Sequence, residues 1–169
     1  MKVILYMAIS IDGFIAKPDD DTASWISKTE WDSYSAAVRS AGWMIIGHRT
    51  YDILTTQPEF AEFKDVNVIV VGETPIKLGA PNHKIATSPQ EALEFCKGAT
   101  TVVVAGGGKL NAAFMAANLV DEMYIDIEPT ALGNGIQLFH GSKFKVRLKL
   151  LSTKQLSPDE IQLHYQILK

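Results

Sequence analysis

The segment TTVVVAGGGKLNAAFMAANLVDEMYIDI, residues 100–127, sets the pattern for the rest of the chain. Its first five residues are all β-branched, which favours a strand that is buried on both faces. Three glycines follow at 106–108, and apolar residues then recur at helical spacing. Residues 123–127 return to a strand pattern. The segment therefore predicts a strand, a glycine turn, a helix and a second strand.

The glycine turn is suited to holding an anion. Glycine reaches positive φ and lets a ligand approach the backbone without a Cβ clash. The first N–H groups of the next helix point to the same place. Two known phosphate motifs do not match, because Asn111 stands where G-x-G-x-x-G needs glycine and no Gly-Lys-Ser/Thr follows. We expect a nucleotide pyrophosphate here; the alternative is a tight turn that serves the fold alone.

Length and composition limit the class of protein. The 169 residues predict one domain over residues 1–169, and 47% hydrophobic with 21% charged residues is typical of a globular protein. A net charge of −3 and the lack of a basic stripe argue against nucleic acid as a partner. Cys96 is the single cysteine, no apolar run has the length of a membrane span, and the sequence starts with a strand pattern instead of a leader. We expect a cytoplasmic protein that binds neither membrane nor metal.

A second glycine turn follows another buried strand. Residues 43–46 are apolar, and Gly47-His48-Arg49-Thr50 comes directly after them at the start of a helix. Arg49 is suited to pairing with a phosphate, and Thr50 is suited to capping the helix while donating a hydrogen bond. The alternative is a surface arginine and a structural cap.

The remaining elements alternate between strands and helices, which predicts an α/β protein with a mostly parallel sheet. Ser27 and Glu30 form a capping-box pattern and Gly42 is a candidate C-cap of the first helix. The other predicted features are a central strand at 2–11, an Asp12-Gly13 turn, a strand at 14–16, a polar loop at 18–21, a helix at 27–41, strands at 66–71 and 84–86, a helix from Ser88 to near Gly98, and a C-terminal antiparallel hairpin of strands 144–151 and 161–168 joined across residues 157–159.

With these stretches assembled, the chain resembles the dihydrofolate reductase superfamily. More narrowly, it is similar to the branch that contains the reductase domain of riboflavin biosynthesis. The resemblance spans essentially the whole chain and rests on MAISIDGFIA (7–16), IIGHRTYD (45–52), VVVAGGGKLN (102–111) and IEPTALGNGIQLF (127–139). It implies an eight-stranded mixed sheet flanked by helices, NADPH bound across the strand ends, and a homodimer.

The resemblance also implies which residues meet the cofactor. Ala8 and Ile15 would flank the nicotinamide, and the two glycine turns would hold the phosphates. The family commonly has arginine directly after the glycine of the second motif, where this chain has His48, so the preference for NADPH over NADH rests on Arg49 or Lys109. The implied cofactor residues are Ala8, Ile15, Gly47, His48, Arg49, Thr50, Val71, Gly72, Ala105, Gly106, Gly107, Gly108, Lys109 and Leu110.

Two carboxylates are candidates for gripping the substrate. The resemblance, counted from Trp25, places the pterin-holding carboxylate of dihydrofolate reductases at Glu30; the alternative is that Glu30 only completes the capping box. Asp126 lies in an apolar strand, where an unpartnered carboxylate is costly and a functional role is favoured. Its alternative is an outward-facing position, because it alternates with Tyr124 and Glu128.

Three further residues are expected on the substrate side. Met7 belongs to the first motif. Asp12 would lie near the substrate in the riboflavin branch, although Asp-Gly is also good turn chemistry. Tyr34, one helical turn after Glu30, would line the pocket or serve as a core aromatic.

The expected activity is NADPH-dependent transfer of hydride to a C=N bond of a pterin-like heterocycle, with dihydrofolate as the leading substrate. The alternatives are the ribosyl-phosphate pyrimidine reductase of riboflavin biosynthesis and a nucleotide-binding protein without activity. The riboflavin branch usually carries Asp-Pro-x-Leu and basic residues after the second motif, whereas this chain has DILT at 52–55. That departure counts against a phosphoribosyl substrate.

Overall fold

The computed structural model describes residues 1–18, 24–73 and 75–169, so residues 19–21 of the predicted polar loop lie outside it. Its strands are β1 (Lys2–Ser10), β2 (Phe14–Ala16), β3 (Trp43–Gly47), β4 (Asn67–Val71), β5 (His83–Ala86), β6 (Thr101–Val104), β7 (Glu122–Glu128), β8 (Ile136–Gln137), β9 (Arg147–Gln155) and β10 (Ile161–Leu168). Its helices are α1 (Lys28–Ala41), α2 (His48–Leu54), α3 (Pro89–Phe95) and α4 (Gly108–Ala116), with a 3₁₀-helix at Pro58–Phe63.

Within the described residues, the main sheet has eight strands in the order β5-β4-β3-β6-β1-β7-β10-β9. The pairs from β5 through β7 are parallel, whereas β10 is antiparallel to both β7 and β9. A separate small ladder joins β2 to β8. The predicted α/β fold with a mixed, mostly parallel sheet and a C-terminal antiparallel hairpin is confirmed.

Strand β1 lies inside the sheet, between β6 and β7. Leu5 pairs in register with Val104 of β6 on one side and with Met123 of β7 on the other. All three residues are buried. The glycine-rich segment therefore borders the centre of the sheet, and the carboxyl ends of β1, β3 and β6 meet at one edge, where ligands gather in open α/β sheets.

Helices cover both faces of the parallel part of the sheet. On one face, Val38 of α1 packs in a core cluster with Ile46. On the other face, Phe114 of α4 and Ala92 of α3 pack in a second cluster with Ile45. No helix in the described part of the chain is long and apolar enough to cross a membrane.

Several predicted boundaries shift. The helix predicted to reach the neighbourhood of Gly98 ends at Phe95, and the first strand of the hairpin begins at Arg147 instead of residue 144 and continues to Gln155. Gly42 has φ 70°, and its N–H bonds to the Val38 carbonyl at 3.0 Å, which confirms it as the C-cap of α1.

Candidate functional site

One large cleft, of about 1450 Å³, crosses the sheet edge where β1, β3 and β6 end. Ligand pockets usually have volumes of about 300–1,000 Å³, so this cleft has room for a dinucleotide and a second molecule together. We call the part formed by the β3–α2 and β6–α4 turns the glycine half. The part formed by the start of α1, the end of α2 and the 3₁₀-helix is the acidic half.

In the glycine half the two glycine turns touch through their backbones. The Gly47 N–H donates to the Gly106 carbonyl at 2.7 Å. A Cβ at Gly47 would lie 3.4 Å from the Gly107 nitrogen, and a Cβ at Gly107 would lie 2.9 Å from Oγ1 of Thr50. Side chains at these glycines would fill the cleft floor, so the backbone itself is presented to a ligand.

Most of the predicted cofactor residues line this cleft. The lining includes Ala8, Ile15, Gly47, His48, Arg49, Thr50, Val71, Gly72, Ala105, Gly107, Gly108, Lys109 and Leu110. Gly106 is not part of the lining, and its carbonyl instead accepts the Gly47 N–H. The prediction that Thr50 caps α2 is wrong: Gly47 is the N-cap, no side chain makes a cap hydrogen bond, and Thr50 lies in the first helical turn.

Glu30 faces the acidic half of the cleft instead of capping its helix. The Ser27 hydroxyl accepts the Glu30 N–H at 3.0 Å, as the capping-box pattern predicts. The Ser27 N–H, however, donates to Glu128 at 3.0 Å, so Glu128 takes the place that Glu30 would occupy in a capping box. The Glu30 side chain therefore does not cap the helix; it lines the cleft, and the residue is only 4% exposed.

The surroundings of Glu30 favour its protonated form. Burial raises the pKa of Glu30 well above its usual value, and the charges of Asp126, Glu128 and Glu160 raise it further. This residue therefore holds its proton to higher pH than an exposed glutamate. In the described residues no group of three or more His, Cys, Asp or Glu side chains is placed to hold a metal ion.

Asp126 is buried behind the cleft in a hydrogen-bond network. Its Oδ2 accepts the Tyr6 hydroxyl at 2.8 Å, and its Oδ1 accepts Nε2 of Gln162 at 2.9 Å. The Tyr6 hydroxyl lies 2.7 Å from Oγ of Ser33. Nε2 of Gln162 also donates to the Tyr6 hydroxyl, at 2.8 Å. Tyr6 lines the cleft while Asp126 is absent from the described lining. Asp126 thus reaches the cleft through Tyr6.

The alternative that Asp126 faces outward is wrong, because the residue is 1% exposed. Burial raises the pKa of Asp126 to about 6, although the hydrogen bonds from Gln162 and Tyr6 oppose the shift. Burial and the neighbouring Asp126 also raise the pKa of Tyr6. The raised pKa of Tyr6 keeps its hydroxyl protonated, so Tyr6 is the donor in its hydrogen bond to Asp126.

The three remaining predicted substrate residues separate. Met7 and Tyr34 line the cleft, and the Tyr34 ring is also part of the core, with its hydroxyl donating to Sδ of Met44 at 3.5 Å. Asp12 is absent from the described lining and accepts from Ser10 Oγ at 2.6 Å and from the Gly133 N–H at 2.7 Å. These contacts lower the pKa of Asp12 to about 2. The contacts of Asp12 therefore support its alternative role, in the Asp12-Gly13 turn, and not a place near the substrate.

Sequence reasoning missed Tyr6, Glu128 and Gln162. Tyr6 carried a signal, since it is a hydroxyl-bearing residue inside an apolar strand predicted to be central and so needs a buried partner. Glu128 was noted as one of the alternating residues of β7, but nothing in the sequence indicated that it would accept the Ser27 N–H at the start of α1. Gln162 lies in the hairpin, 156 residues from Tyr6, and no local pattern announces their contact.

The mixed, mostly parallel sheet flanked by helices is the fold of the dihydrofolate reductase superfamily, which confirms the resemblance seen in the sequence. The family model for the RibD C-terminal domain matches residues 1–161. The chain belongs to the RibD C-terminal domain family.

Individual relatives agree with this membership. An uncharacterized protein of Bacillus subtilis, YwjB, is 30% identical over 171 residues and 97% of each chain is covered. A solved structure described as a putative riboflavin biosynthesis protein from Shewanella sp. PV-4 matches with a TM-score of 0.78 and 19% identity over 100% of both chains.

A second solved structure is described as a deaminase and 5-amino-6-(5-phosphoribosylamino)uracil reductase from Thermotoga maritima. It matches with a TM-score of 0.74 and 17% identity, covering 99% of this chain and 56% of that one. At this identity the two structural matches show the fold.

Proposed function

We propose that this protein is an NADPH-dependent reductase that delivers hydride to a C=N bond of a pyrimidine-type or pterin-type substrate. The observation that carries the proposal is the pairing of two unlike halves in one cleft. One half presents glycine backbone and cationic side chains, and the other presents a buried carboxyl group among aromatic rings. Ala8 and Ile15, which the resemblance assigns to the nicotinamide, line the same cleft.

The glycine half fits a dinucleotide. The space that a Cβ at Gly107 would fill lies against Oγ1 of Thr50, and α4 begins directly after it. The first N–H groups of α4 and the side chain of Lys109 suit a pyrophosphate. NADPH held there would supply the hydride, while the protein would orient the two rings and exclude water.

Glu30 is the proposed substrate contact. Many pyrimidine and pterin rings carry an amidine-type edge with two parallel N–H donors, and such an edge pairs with an ionised carboxylate. Pairing would therefore lower the raised pKa of Glu30 and release a proton next to the ring being reduced. Trp31, whose Nε1 donates to Glu62 at 3.0 Å, lines the same half.

Two ring systems remain candidates. The descriptions of the structural relatives favour a pyrimidine of riboflavin biosynthesis, and no relative quoted above is described as a dihydrofolate reductase. A pterin such as dihydrofolate is the second candidate, because Glu30 of α1 lines the cleft, and the resemblance to dihydrofolate reductases makes Glu30 the carboxylate that holds the pterin.

A cytoplasmic location stays a prediction.

The decisive experiment separates binding from turnover. NADPH and NADH are titrated against the protein by fluorescence, and cofactor oxidation is then followed with a ribosylaminopyrimidine and with a dihydropterin. We expect submillimolar NADPH binding and enzyme-dependent oxidation with one of the two rings. Binding without oxidation would leave a nucleotide-binding protein without this activity, and absence of NADPH binding would contradict the proposal as a whole.

A homodimer formed through the C-terminal hairpin is also proposed. All nine residues of β9 are exposed at the sheet edge, and Leu148, Leu150 and Leu151 are among them. Leu150 pairs with Tyr165, whereas Ser152 pairs with His164. Because the register shifts between His164 and Tyr165, Leu150 and Ser152 lie on opposite faces although they are two residues apart. We expect Leu150→Lys to halve the mass found by sedimentation while Ser152→Lys does not; a wild-type monomer would contradict the proposal.

A further inference from the structure

Most charged side chains of the cleft lie in one of its two halves, and Glu73, two residues after β4, also lines the cleft. His48 and Arg49 begin α2, and Lys109 lies in the first turn of α4, so all three belong to the glycine half. Each of them lines the cleft. Arg49 and Lys109 therefore place positive charge where the proposed cofactor phosphates would lie.

The acidic half has the opposite character. Its lining acids are Glu30, Asp32, Glu59 and Glu62. Among the described residues of this half, Lys28 is the one lysine or arginine in the lining, and its Nζ lies 2.5 Å from Oδ2 of Asp32. Residues 19–23 and Thr74, which the structure does not describe, contain no lysine or arginine.

A second cation, Arg39, is also paired with an acid that lines the acidic half. Arg39 of α1 pairs with Glu62, whose other carboxylate oxygen accepts Nε1 of Trp31. The Trp31 hydrogen bond is the main cause that lowers the pKa of Glu62 and keeps this residue ionised. Arg39 is thus already paired with an ionised carboxylate, as Lys28 is paired with Asp32.

Lys28 and Arg39 are both paired with acids in the wall of the acidic half, and Glu59 adds a further carboxylate, so an anion entering this half meets net negative charge. The low-dielectric walls of a cleft strengthen that effect. A phosphate group carries nearly two negative charges at neutral pH and is commonly bound by arginine or lysine side chains. The acidic half offers it carboxylates instead. A glutamate tail, with two carboxylates, meets the same wall.

We propose that the acidic half takes a neutral or cationic heterocycle and rejects substrates with an anionic appendage, both ribose phosphates and glutamyl tails. This inference rests on the proposed function and narrows its substrate class. It sets this chain apart from the relative described as a phosphoribosylaminouracil reductase, to which it is 17% identical. The substrate would be a dephosphorylated ribosylaminopyrimidine or a tail-free dihydropterin.

The test uses two matched pairs of compounds. The first pair is a ribosylaminopyrimidine with and without its phosphate, and the second is dihydrofolate and a dihydropterin that lacks the glutamyl tail. Binding to the NADPH-loaded protein is measured by calorimetry, and kcat/KM is measured wherever turnover occurs. We expect the uncharged member of at least one pair to bind at least tenfold more tightly, with a difference that shrinks as salt is added.

A charge-reversal variant tests the cause. Glu59→Lys should raise the affinity for the phosphorylated pyrimidine about tenfold and leave the NADPH affinity unchanged. Glu94→Lys, an exposed acid on α3 outside the cleft lining, is the matched control and should change neither.

The outcomes separate the inference from the proposed function. Equal or tighter binding of the anionic member in both pairs would overturn the inference while the reductase proposal stands. Failure of all four compounds to bind would overturn it too, because the proposed class includes the uncharged members. Failure of NADPH to bind would instead contradict the proposed function.

Discussion

The two halves of the cleft are built in different ways. The glycine half consists of two local turns, each a strand followed by glycine and a helix, and its ligand-facing surface is largely backbone. The acidic half consists of side chains from α1, α2 and the 3₁₀-helix, and the hydrogen-bond network of β1, β7 and β10 lies behind it, so its parts meet only in the folded protein. The difference shows that backbone sites depend on short sequence patterns, whereas side-chain sites depend on packing across the whole sheet.

The largest expected effect concerns the acidic half. Glu30→Gln keeps the size of the side chain but removes the carboxylate, so kcat/KM should fall by about 1,000-fold, within the range typical of general acid–base groups. Asp32→Asn is the control, because Asp32 also lines this half but is exposed and paired with Lys28. Steady-state kinetics with the best substrate measures both. Equal losses in the two variants would mean that Glu30 has no special place in the site.

The glycine half should respond through binding instead of turnover. Gly107→Ala introduces a Cβ 2.9 Å from Oγ1 of Thr50 in the cleft floor, and we expect NADPH to bind about 100-fold more weakly, equivalent to about 3 kcal/mol. Gly98→Ala is the control: Gly98 has φ +95° with open space around its Cβ position, so that change strains the backbone away from the cleft. Fluorescence titration reports the affinity, and unchanged binding in Gly107→Ala would remove this turn from the cofactor site.

The smallest expected effect is a change in pH dependence. The pKa of Asp126 is about 6 in the folded protein against about 3.8 when unfolded, so the native state holds more protons between these values. Stability that is present below about pH 4 is therefore lost as the pH rises to about 6 and stays lost above it. We expect this group to lower the free energy of unfolding by about 2 kcal/mol across that window.

Asp126→Asn should abolish that part of the pH dependence, and the exposed Asp65→Asn should keep it. Urea unfolding at pH 4, 5, 6 and 7 gives the free energies for all three proteins. Parallel profiles for the wild type and Asp126→Asn would show that the buried carboxyl group does not titrate in this range.

Much of the fold was predictable because its signals are local. The β-branched run before the glycines, the capping serine at residue 27 and the Gly42 C-cap each act within a few residues, and each is found as predicted. The hairpin was predicted from alternation, but β9 starts later and runs to Gln155 because its register is set by pairing with β10 and not by its own composition. Boundaries shifted where a neighbouring strand decided them.

The candidate site was predictable in part. The glycine turns were found from their residues, the resemblance placed Glu30 as a candidate, and the cost of a carboxylate in an apolar strand made Asp126 another. The two carboxylates differ in a way that the sequence did not reveal: Glu30 lines the cleft, while Asp126 lies behind Tyr6. The capping-box pattern also gave a misleading reason for Glu30, because the partner that replaces it, Glu128, is 101 residues from Ser27.

The sequence by itself determined the order of strands and helices, the glycine turns and the family, because these depend on backbone preferences and short-range hydrophobic patterns. Only the tertiary structure decided which carboxyl group faces the cleft, which one holds Tyr6, and where the charges of the cleft lie. Those properties depend on burial and on contacts between residues far apart in the sequence, such as Tyr6 and Asp126, which are 120 positions apart. Burial and charge at a site are set by its neighbours in space, which no single stretch of the chain contains.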